Sequence, residues 1–163
     1  MPIQSQGSAL IIMVHNLFTQ NICEIKISYS NKIPFKDRIS VTSSSQCYAL
    51  LSPLWPNIDH LESFYAIMLN RANKVLGISL ISTGGVAGCV VDPKVIFQHA
   101  LKANASSIIL AHNHPSGNDQ PSDPDRKLTE KLKAAGKVLD IQVLDHIILT
   151  AENYFSFADE GIF

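Results

Sequence analysis

The order of apolar and polar residues predicts a strand hairpin in the first half of the chain. Glu24 to Ser28 alternates between apolar and polar side chains, which is typical of a half-buried strand. Two apolar runs, Phe64 to Leu69 and Val75 to Thr83, are separated by a short polar segment, so we expect an antiparallel pair joined by a turn. Before them, Thr42 to Ser45 offers N-caps for a short helix that ends near Pro53.

The second half of the chain predicts strands and helices in alternation. Asp92-Pro93 is typical of a helix start, and apolar residues at helical spacing predict another helix from 123 to about 138. The apolar runs 108–111 and Ile141 to Leu149 predict buried strands, and Tyr154 to Phe157 predicts an edge strand. We therefore expect one α/β domain, a mixed sheet with helices packed on it.

Composition narrows the possible functions. The chain has 163 residues, 46% of them hydrophobic and 17% charged, which favours one globular domain over a disordered segment. The formal net charge of −1 argues against tight binding of DNA through broad electrostatics. The cysteines at 23, 47 and 89 form no CxxC pair, so we expect no disulfide framework and no thiolate metal site, and a cytoplasmic location fits.

The first residues carry little pattern. We expect a weakly ordered lead-in over residues 1 to 22 and the domain itself over residues 23 to 163. The apolar run Ala9 to Val14 is too short to cross a membrane, and no Lys or Arg precedes it as in a signal peptide. Translation could start at Met1 or at Met13.

The stretch that follows the central apolar run has the residue types of a metal site. His112 and His114 are two residues apart at a strand end, so their side chains share a face. Asp125, at the start of the next predicted helix, can turn its carboxylate to the same point. Two imidazoles and one carboxylate suit Zn²⁺, and three protein ligands leave a fourth position for water, which is the catalytic pattern.

Each part of this pattern also has a purely structural interpretation. Paired histidines at a strand end are often surface or core residues. The segment 122–125 can be helix capping, either with Asp123 as N-cap and Pro124 at the first helical position, or with Ser122 and Asp125 in a capping box. The joint spacing over 14 residues favours the metal site.

The sequence His112-Asn113-His114-Pro115-Ser116-Gly117, with Pro121-Ser122 and Asp125, resembles the JAMM motif of the MPN-plus metalloproteases. The order Asn-His-Pro-Ser-Gly within this motif resembles the bacterial RadC branch in particular, and so does the later run 143–148, which contains His146. The resemblance covers roughly residues 40 to 163 and includes Glu62, Asp92-Pro93 and Thr129. It implies a single cytidine-deaminase-like α/β/α domain of the MPN/JAB type.

The resemblance also implies roles for individual residues. Zn²⁺ would be held by His112, His114 and Asp125, with Glu62 as the base for its water and Ser122 steadying the oxyanion. Glu24 also opens a predicted strand and is a rival for the base. Within the motif, Asn113 and Ser116 are expected to shape the loop or support the ligands, and His146 is expected to be a satisfied core histidine or a supporting residue.

Four functions remain open at this stage. The first is a zinc hydrolase that cleaves a peptide or isopeptide amide. The second is a DNA-repair or mobile-element accessory protein of the RadC family, although residues 1 to 40 show no helix-hairpin-helix. The third is an interaction module without turnover. The fourth, a zinc nucleobase deaminase, needs His-x-Glu together with Pro-Cys-x-x-Cys, and the sequence has no Pro-Cys-x-x-Cys. The substrate, protein partners and oligomeric state are not predicted.

Overall fold

The computed structural model describes residues 28–30, 32–55, 58–85 and 89–163, and these contain five strands and three α-helices. The strands are β1 (Ser63–Leu69), β2 (Val75–Thr83), β3 (Ser107–Asn113), β4 (Gln142–Leu149) and β5 (Tyr154–Ser156). The helices are α1 (Ser44–Leu51), α2 (Pro93–Lys102) and α3 (Asp123–Val138), with short 3-10 turns at Phe35–Asp37 and Ser52–Leu54.

The strands form one mixed sheet in the order β2-β1-β3-β4-β5. β1 pairs antiparallel with both β2 and β3, and β5 pairs antiparallel with β4. β3 and β4 are parallel, so the chain must cross back between them, and α3 makes that crossover.

Each face of the sheet buries a separate apolar cluster, because alternate residues of a strand point to opposite faces. On one face, Ile108 and Leu110 of β3 pack in a cluster with residues of α2 and α3. On the other face, Ile109 and Ala111 pack in a cluster with residues of α1. The result is a layer of helices on each side of the sheet, and the predicted mixed α/β fold is confirmed.

Most predicted elements are found close to their expected bounds. The hairpin of β1 and β2 turns at Asn70, whose side-chain oxygen accepts hydrogen bonds from the backbone N–H groups of Ala72 (2.9 Å) and Lys74 (3.0 Å). Ser43 is the N-cap of α1, and Asp92 caps α2 with Pro93 at its first position. The predicted lead-in, residues 1 to 22, and the start of the predicted strand at Glu24 lie outside the described residues.

One irregularity in the sheet was not predicted. The pairing of β3 with β4 shifts register between Ile108 and Ile109. Val143 packs in the cluster beneath α3, and His146, three residues later, hydrogen-bonds to Thr129 of α3. In a regular strand Val143 and His146, three residues apart, would point to opposite faces of the sheet. The register shift places both on the face that α3 covers.

Among the described residues, no helix combines the length and the apolarity that crossing a lipid bilayer requires.

The turn from α3 into β4 depends on a glycine. Gly136 is buried in the last turns of α3, and its carbonyl accepts a hydrogen bond from the Ile141 N–H at 2.9 Å. A Cβ at Gly136 would lie 2.3 Å from the carbonyl oxygen of Ile141, which is backbone and cannot swing away. The close return of the chain therefore excludes any side chain at this position.

We expect Gly136→Ala to lower the free energy of unfolding by about 2–3 kcal/mol, although alanine is the better helix former by about 1 kcal/mol. The steric clash with Ile141 outweighs the gain in helix propensity. Lys131→Ala, at an exposed position of the same helix, is the control and should change stability by less than about 0.5 kcal/mol. Urea unfolding of both variants measures the difference, and an equal or greater stability of Gly136→Ala would contradict the packing described.

Candidate metal centre

The two motif histidines and Asp125 meet where β3 ends and α3 begins. His112 lies in β3 and is 1% exposed, and His114 follows the strand by one residue. The backbone N–H of His114 still donates to the carbonyl of Leu149 at 2.9 Å, so the sheet pairing holds the histidine after the strand has ended. Asp125 belongs to the first turn of α3, the next helix along the chain.

The ligand atoms of these three side chains converge on one point. The Nε2 atoms of His112 and His114 are 2.9 Å apart. Asp125 places Oδ1 at 3.2 Å from the Nε2 of His112 and Oδ2 at 3.5 Å from the Nε2 of His114. Among the described residues, this is the group of histidine, cysteine and acidic side chains that could hold a metal ion.

The spacing of the donor atoms fits a small divalent cation. Donor atoms bonded to Zn²⁺ at about 2.0–2.1 Å in tetrahedral geometry lie about 3.3 Å from one another. The separations in the cluster are 2.9 Å between the two Nε2 atoms, and 3.2 and 3.5 Å from these atoms to Oδ1 and Oδ2 of Asp125, which is close to that value. Two imidazoles and one carboxylate are also a donor set of the type found in catalytic zinc sites.

His114 is oriented by the loop that follows it. Its Nδ1 lies 2.7 Å from the backbone carbonyl of Asn118, and because a carbonyl only accepts, Nδ1 carries the proton. Nε2 faces His112 and Asp125, so it donates toward Asp125 when the ring is protonated and offers a lone pair to a metal when the ring is neutral. Burial alone would lower the pKa of His114, but Asp125, the Asn118 carbonyl and Glu62 together raise it above its usual value. The site favours positive charge at this position.

Asp125 is held by the cap of its own helix. Ser122 is the N-cap, and its backbone N–H (2.7 Å) and hydroxyl (2.5 Å) both donate to Oδ2 of Asp125. The prediction of Asp123 as N-cap is therefore wrong. The predicted capping box of Ser122 and Asp125 is present, and Asp125 takes part in both the capping box and the cluster of ligand atoms. Burial opposes ionisation of Asp125, but hydrogen bonds from His112, His114 and Ser122 hold its pKa far below its usual value.

His112 is oriented by a buried series of hydrogen bonds at Nδ1, the ring nitrogen that does not face the cluster. Its Nδ1 lies 2.8 Å from Nε2 of His146, which is 0% exposed. The Nδ1 of His146 lies 2.6 Å from the hydroxyl oxygen of Thr129, and that hydroxyl donates to the backbone carbonyl of Asp125 at 2.7 Å. Burial and the neighbouring His112 hold the pKa of His146 well below its usual value, so the ring is neutral.

Glu62 directly precedes β1, and its charge acts on one residue of the cluster. Its negative charge contributes to the raised pKa of His114. Burial raises the pKa of the Cys89 thiol, and the charge of Glu62 raises it further. Its backbone carbonyl accepts a hydrogen bond from the Gly84 N–H at 2.8 Å. The rival glutamate, Glu24, lies outside the described residues.

Asn113 fixes the segment that carries Glu62. Its side-chain oxygen accepts from the Ser63 N–H at 2.7 Å, and its amide nitrogen donates to the carbonyls of Ile58 (2.6 Å) and Leu61 (2.9 Å). Asn113 is 0% exposed, and its three partners are half-buried. Asn113 therefore holds the segment that leads into β1.

Sequence reasoning did not assign a role to Thr129. The residue lies four positions after Asp125 and so shares its face of α3, which is the one feature of the sequence that could have indicated a link. His99 links α2 to β2 through a hydrogen bond of 2.6 Å between its Nδ1 and Ser79 Oγ.

Comparison with known proteins agrees with this geometry. Residues 41–162 match the family described as the RadC-like JAB domain. The chain is 43% identical over 123 residues to a UPF0758 protein of Flavobacterium johnsoniae, covering 76% of this chain and 53% of that protein. It is 37% identical over 137 residues to a UPF0758 protein of Porphyromonas gingivalis, covering 82% of this chain and 60% of that protein. The chain thus matches little more than half the length of these curated relatives.

We expect Asn113→Ala to lower the free energy of unfolding by about 2–4 kcal/mol, because it leaves the carbonyls of Ile58 and Leu61 and the N–H of Ser63 without their partner. Asn153→Ala, which removes one exposed amide hydrogen bond, is the control and should cost less than about 0.5 kcal/mol. Urea unfolding gives the stabilities, and amide hydrogen exchange at Ser63 should accelerate in Asn113→Ala alone. An unchanged exchange rate would show that another contact holds the segment.

Proposed function

The chain belongs to the RadC-like JAB domain family, and on that premise we propose that it is a zinc-dependent hydrolase that cleaves a peptide or isopeptide amide. The observation that carries this proposal is the convergence of His112, His114 and Asp125 with Glu62 beside them. A structural capping motif alone accounts for Ser122 and Asp125 but gives no reason for two imidazole nitrogens to face one carboxylate.

Zinc is the cation that we propose for the cluster, with His112, His114 and Asp125 as its protein ligands. When bound, Zn²⁺ supplies a Lewis acid that makes water easier to deprotonate and polarises a carbonyl. The chain already orients each ligand by a second contact: Asn118 for His114, His146 for His112 and Ser122 for Asp125. Such outer contacts are typical of functional metal sites.

Glu62 is the proposed general base. Its charge acts on His114, which supports a position near the proposed metal. A base in that position accepts the proton of the attacking water and returns it to the leaving amine. The Asn113 contacts hold the segment 58–63, so the base is positioned by the strand that carries His112.

Ser122 is the proposed donor to the developing oxyanion. Its hydroxyl donates to Oδ2 of Asp125, but its backbone N–H donates to the same oxygen. The hydroxyl can therefore turn toward substrate while the carboxylate stays held. A donor placed where negative charge develops lowers the activation barrier, and removing one such donor costs about 10²–10³-fold in rate in other hydrolases.

The substrate and any partners of the whole protein are also matters of proposal, since the chain spans little more than half of its curated relatives. An amide is the proposed bond because the proposed base, a carbonyl-polarising cation and the proposed oxyanion donor would together serve amide hydrolysis. The alternative, an accessory protein that acts near DNA, would gain support if the zinc-loaded chain cleaved no peptide or isopeptide.

We expect Asp125→Asn to weaken zinc binding by more than about 100-fold, since losing a ligand should exceed the 10–100-fold cost of losing an outer contact. The amide is a poor replacement for a carboxylate ligand, yet it preserves an oxygen that can cap the helix. Asp123→Asn, two residues earlier and exposed, is the matched control and should bind zinc like the wild type. Competition with a chromophoric chelator measures the affinities. Equal affinity of Asp125→Asn and wild type would remove Asp125 from the ligand set.

Glu62→Gln separates the base from the ligands. We expect zinc stoichiometry to stay unchanged and hydrolysis to fall by roughly 10²–10⁴-fold, the usual contribution of a positioned base. Glu152→Gln, at an exposed loop position, is the control and should keep full activity. The assay is cleavage of a peptide and isopeptide library by zinc-loaded protein. Loss of zinc in Glu62→Gln would make Glu62 a ligand, whereas full activity would place the base elsewhere, with Glu24 the first residue to test.

A further inference from the structure

We propose that the chain has a second ligand site, a cavity that binds a phosphate monoester of about the size of a mononucleotide. The cavity has a volume of about 850 Å³ and lies where β3 and β4 begin, whereas the candidate metal centre lies where β3 ends. Asp125 and Lys137 are near opposite ends of α3, a helix of 16 residues that is about 24 Å long. The cavity and the ligand cluster share no residue, so this proposal does not depend on the proposed function.

Three cations from two elements line the cavity. Arg71 belongs to the turn between β1 and β2, and Lys133 and Lys137 belong to the second half of α3. One carboxylate, that of Asp140, is in the same lining. The whole chain has a formal net charge of −1, so this local excess of cations does not reflect a generally basic protein. Lys137 also balances the dipole at the end of α3, but that role gives no reason for Arg71 on another element.

Two of the three cations have no acidic partner. Glu130 lies 3.3 Å from the Nζ of Lys133, and the same Nζ lies 4.6 Å from the centre of the Phe163 ring. The ion pairs found among the described residues include neither Arg71 nor Lys137. The guanidinium and the second ammonium are therefore available to an anion that enters the cavity.

A largely buried hydroxyl in the same lining also points to a ligand. Ser107 begins β3, is 6% exposed and lines the cavity. Its hydroxyl has no hydrogen-bond partner in the part of the chain that the structure describes, yet it keeps some accessible surface, so a molecule in the cavity can reach it. The backbone beside it is already paired, since the N–H of Ser106 donates to the Leu69 carbonyl at 2.8 Å. The hydroxyl is thus an unused donor on a fixed strand.

The types of donor favour a phosphate over a carboxylate. The charged groups of Arg71 and Lys137 and the hydroxyl of Ser107 come from three different elements. A phosphate monoester presents three acceptor oxygens that point in different directions, whereas a carboxylate has two oxygens in one plane. The apolar residues Ile141 and Val143 also line the cavity, so we expect the phosphate to carry an organic body. A volume of about 850 Å³ is within the range of small-molecule sites.

The backbone of a nucleic acid fits this surface less well than a small phosphate compound does. A duplex is bound through many cations that follow its phosphates, and each neutralised phosphate adds to the affinity. The cavity offers three cations with the carboxylate of Asp140 beside them. This arrangement is suited to one phosphate group in a concave site.

The test is a titration of the full 163-residue chain, followed by the backbone amide resonances in NMR spectra. The probes are AMP, phenyl phosphate, adenosine, which lacks the phosphate, and a DNA duplex. The test variants are the double substitution Arg71→Gln/Lys137→Gln and the single substitution Ser107→Ala. The matched control is Lys94→Gln/Lys102→Gln, which removes the same charge from two exposed lysines of α2 outside the cavity.

We expect AMP or phenyl phosphate to bind with a Kd of about 1 mM or lower, and adenosine to bind more weakly by at least about 10-fold. The bound probe should shift the amide resonances of Ser106, Ser107 and Ile141. The double variant should weaken binding by about 10–100-fold, because it removes two charge-assisted donors. Ser107→Ala should weaken binding by about 3–10-fold and leave the urea midpoint unchanged, since the hydroxyl has no partner in the protein. The control should bind like the wild type.

Four results would overturn the proposal. The first is the absence of amide shifts with both phosphate probes at millimolar concentration in the wild type. The second is a set of shifts around His114 alone, which would place the probe at the metal centre. The third is equal weakening in the test and control double variants, which would reduce the effect to net charge. The fourth is tighter binding of the duplex than of AMP at the same amides, which would make the cavity part of a nucleic-acid surface.

Discussion

The parallel pairing of β3 with β4 is the constraint on which the candidate site depends. Parallel neighbours cannot be joined by a tight turn, so the chain must leave the carboxyl end of β3 and return along a helix. That helix, α3, begins beside the residues that end β3. The crossover from β3 through α3 to β4 therefore brings His112 and Asp125 together. The capping box at the start of α3 also orients the carboxylate of Asp125.

Burial of polar groups explains why the surroundings of the site are so specific. His112, Asn113, Thr129 and His146 are all nearly inaccessible to water, and each has a partner of the opposite hydrogen-bonding type. An unpaired group at such a depth costs about 1–3 kcal/mol, which is a large part of the stability of a domain of this size. The network is therefore a condition of folding as well as an arrangement for chemistry.

The sequence was sufficient to predict the elements that have a strong period and clear ends. The hairpin of β1 and β2, the capped helix α2 and the amphipathic helix α3 were predicted because alternation, N-caps and helical spacing are local properties. The same-face rule also brought His112 and His114 together correctly. Long-range contacts were not accessible in this way. The bonds from Asn113 to 58–63 and the turning of His146 toward α3 depend on strand register and on an irregularity that no local pattern encodes.

Two consecutive residues of β3 serve the two opposite faces of the sheet, and this has an evolutionary consequence. His112 faces α3 and belongs to the ligand cluster, whereas Asn113 faces the other way and anchors the segment of Glu62. The proposed cation ligands and the proposed base are thus supported by different layers of the fold. A substitution of Glu62 alone leaves the buried network in place, so a descendant can lose the proposed base and keep the cluster of ligand atoms. Inactive members of such a lineage would be recognised by an altered Glu62 beside an unaltered pair of histidines.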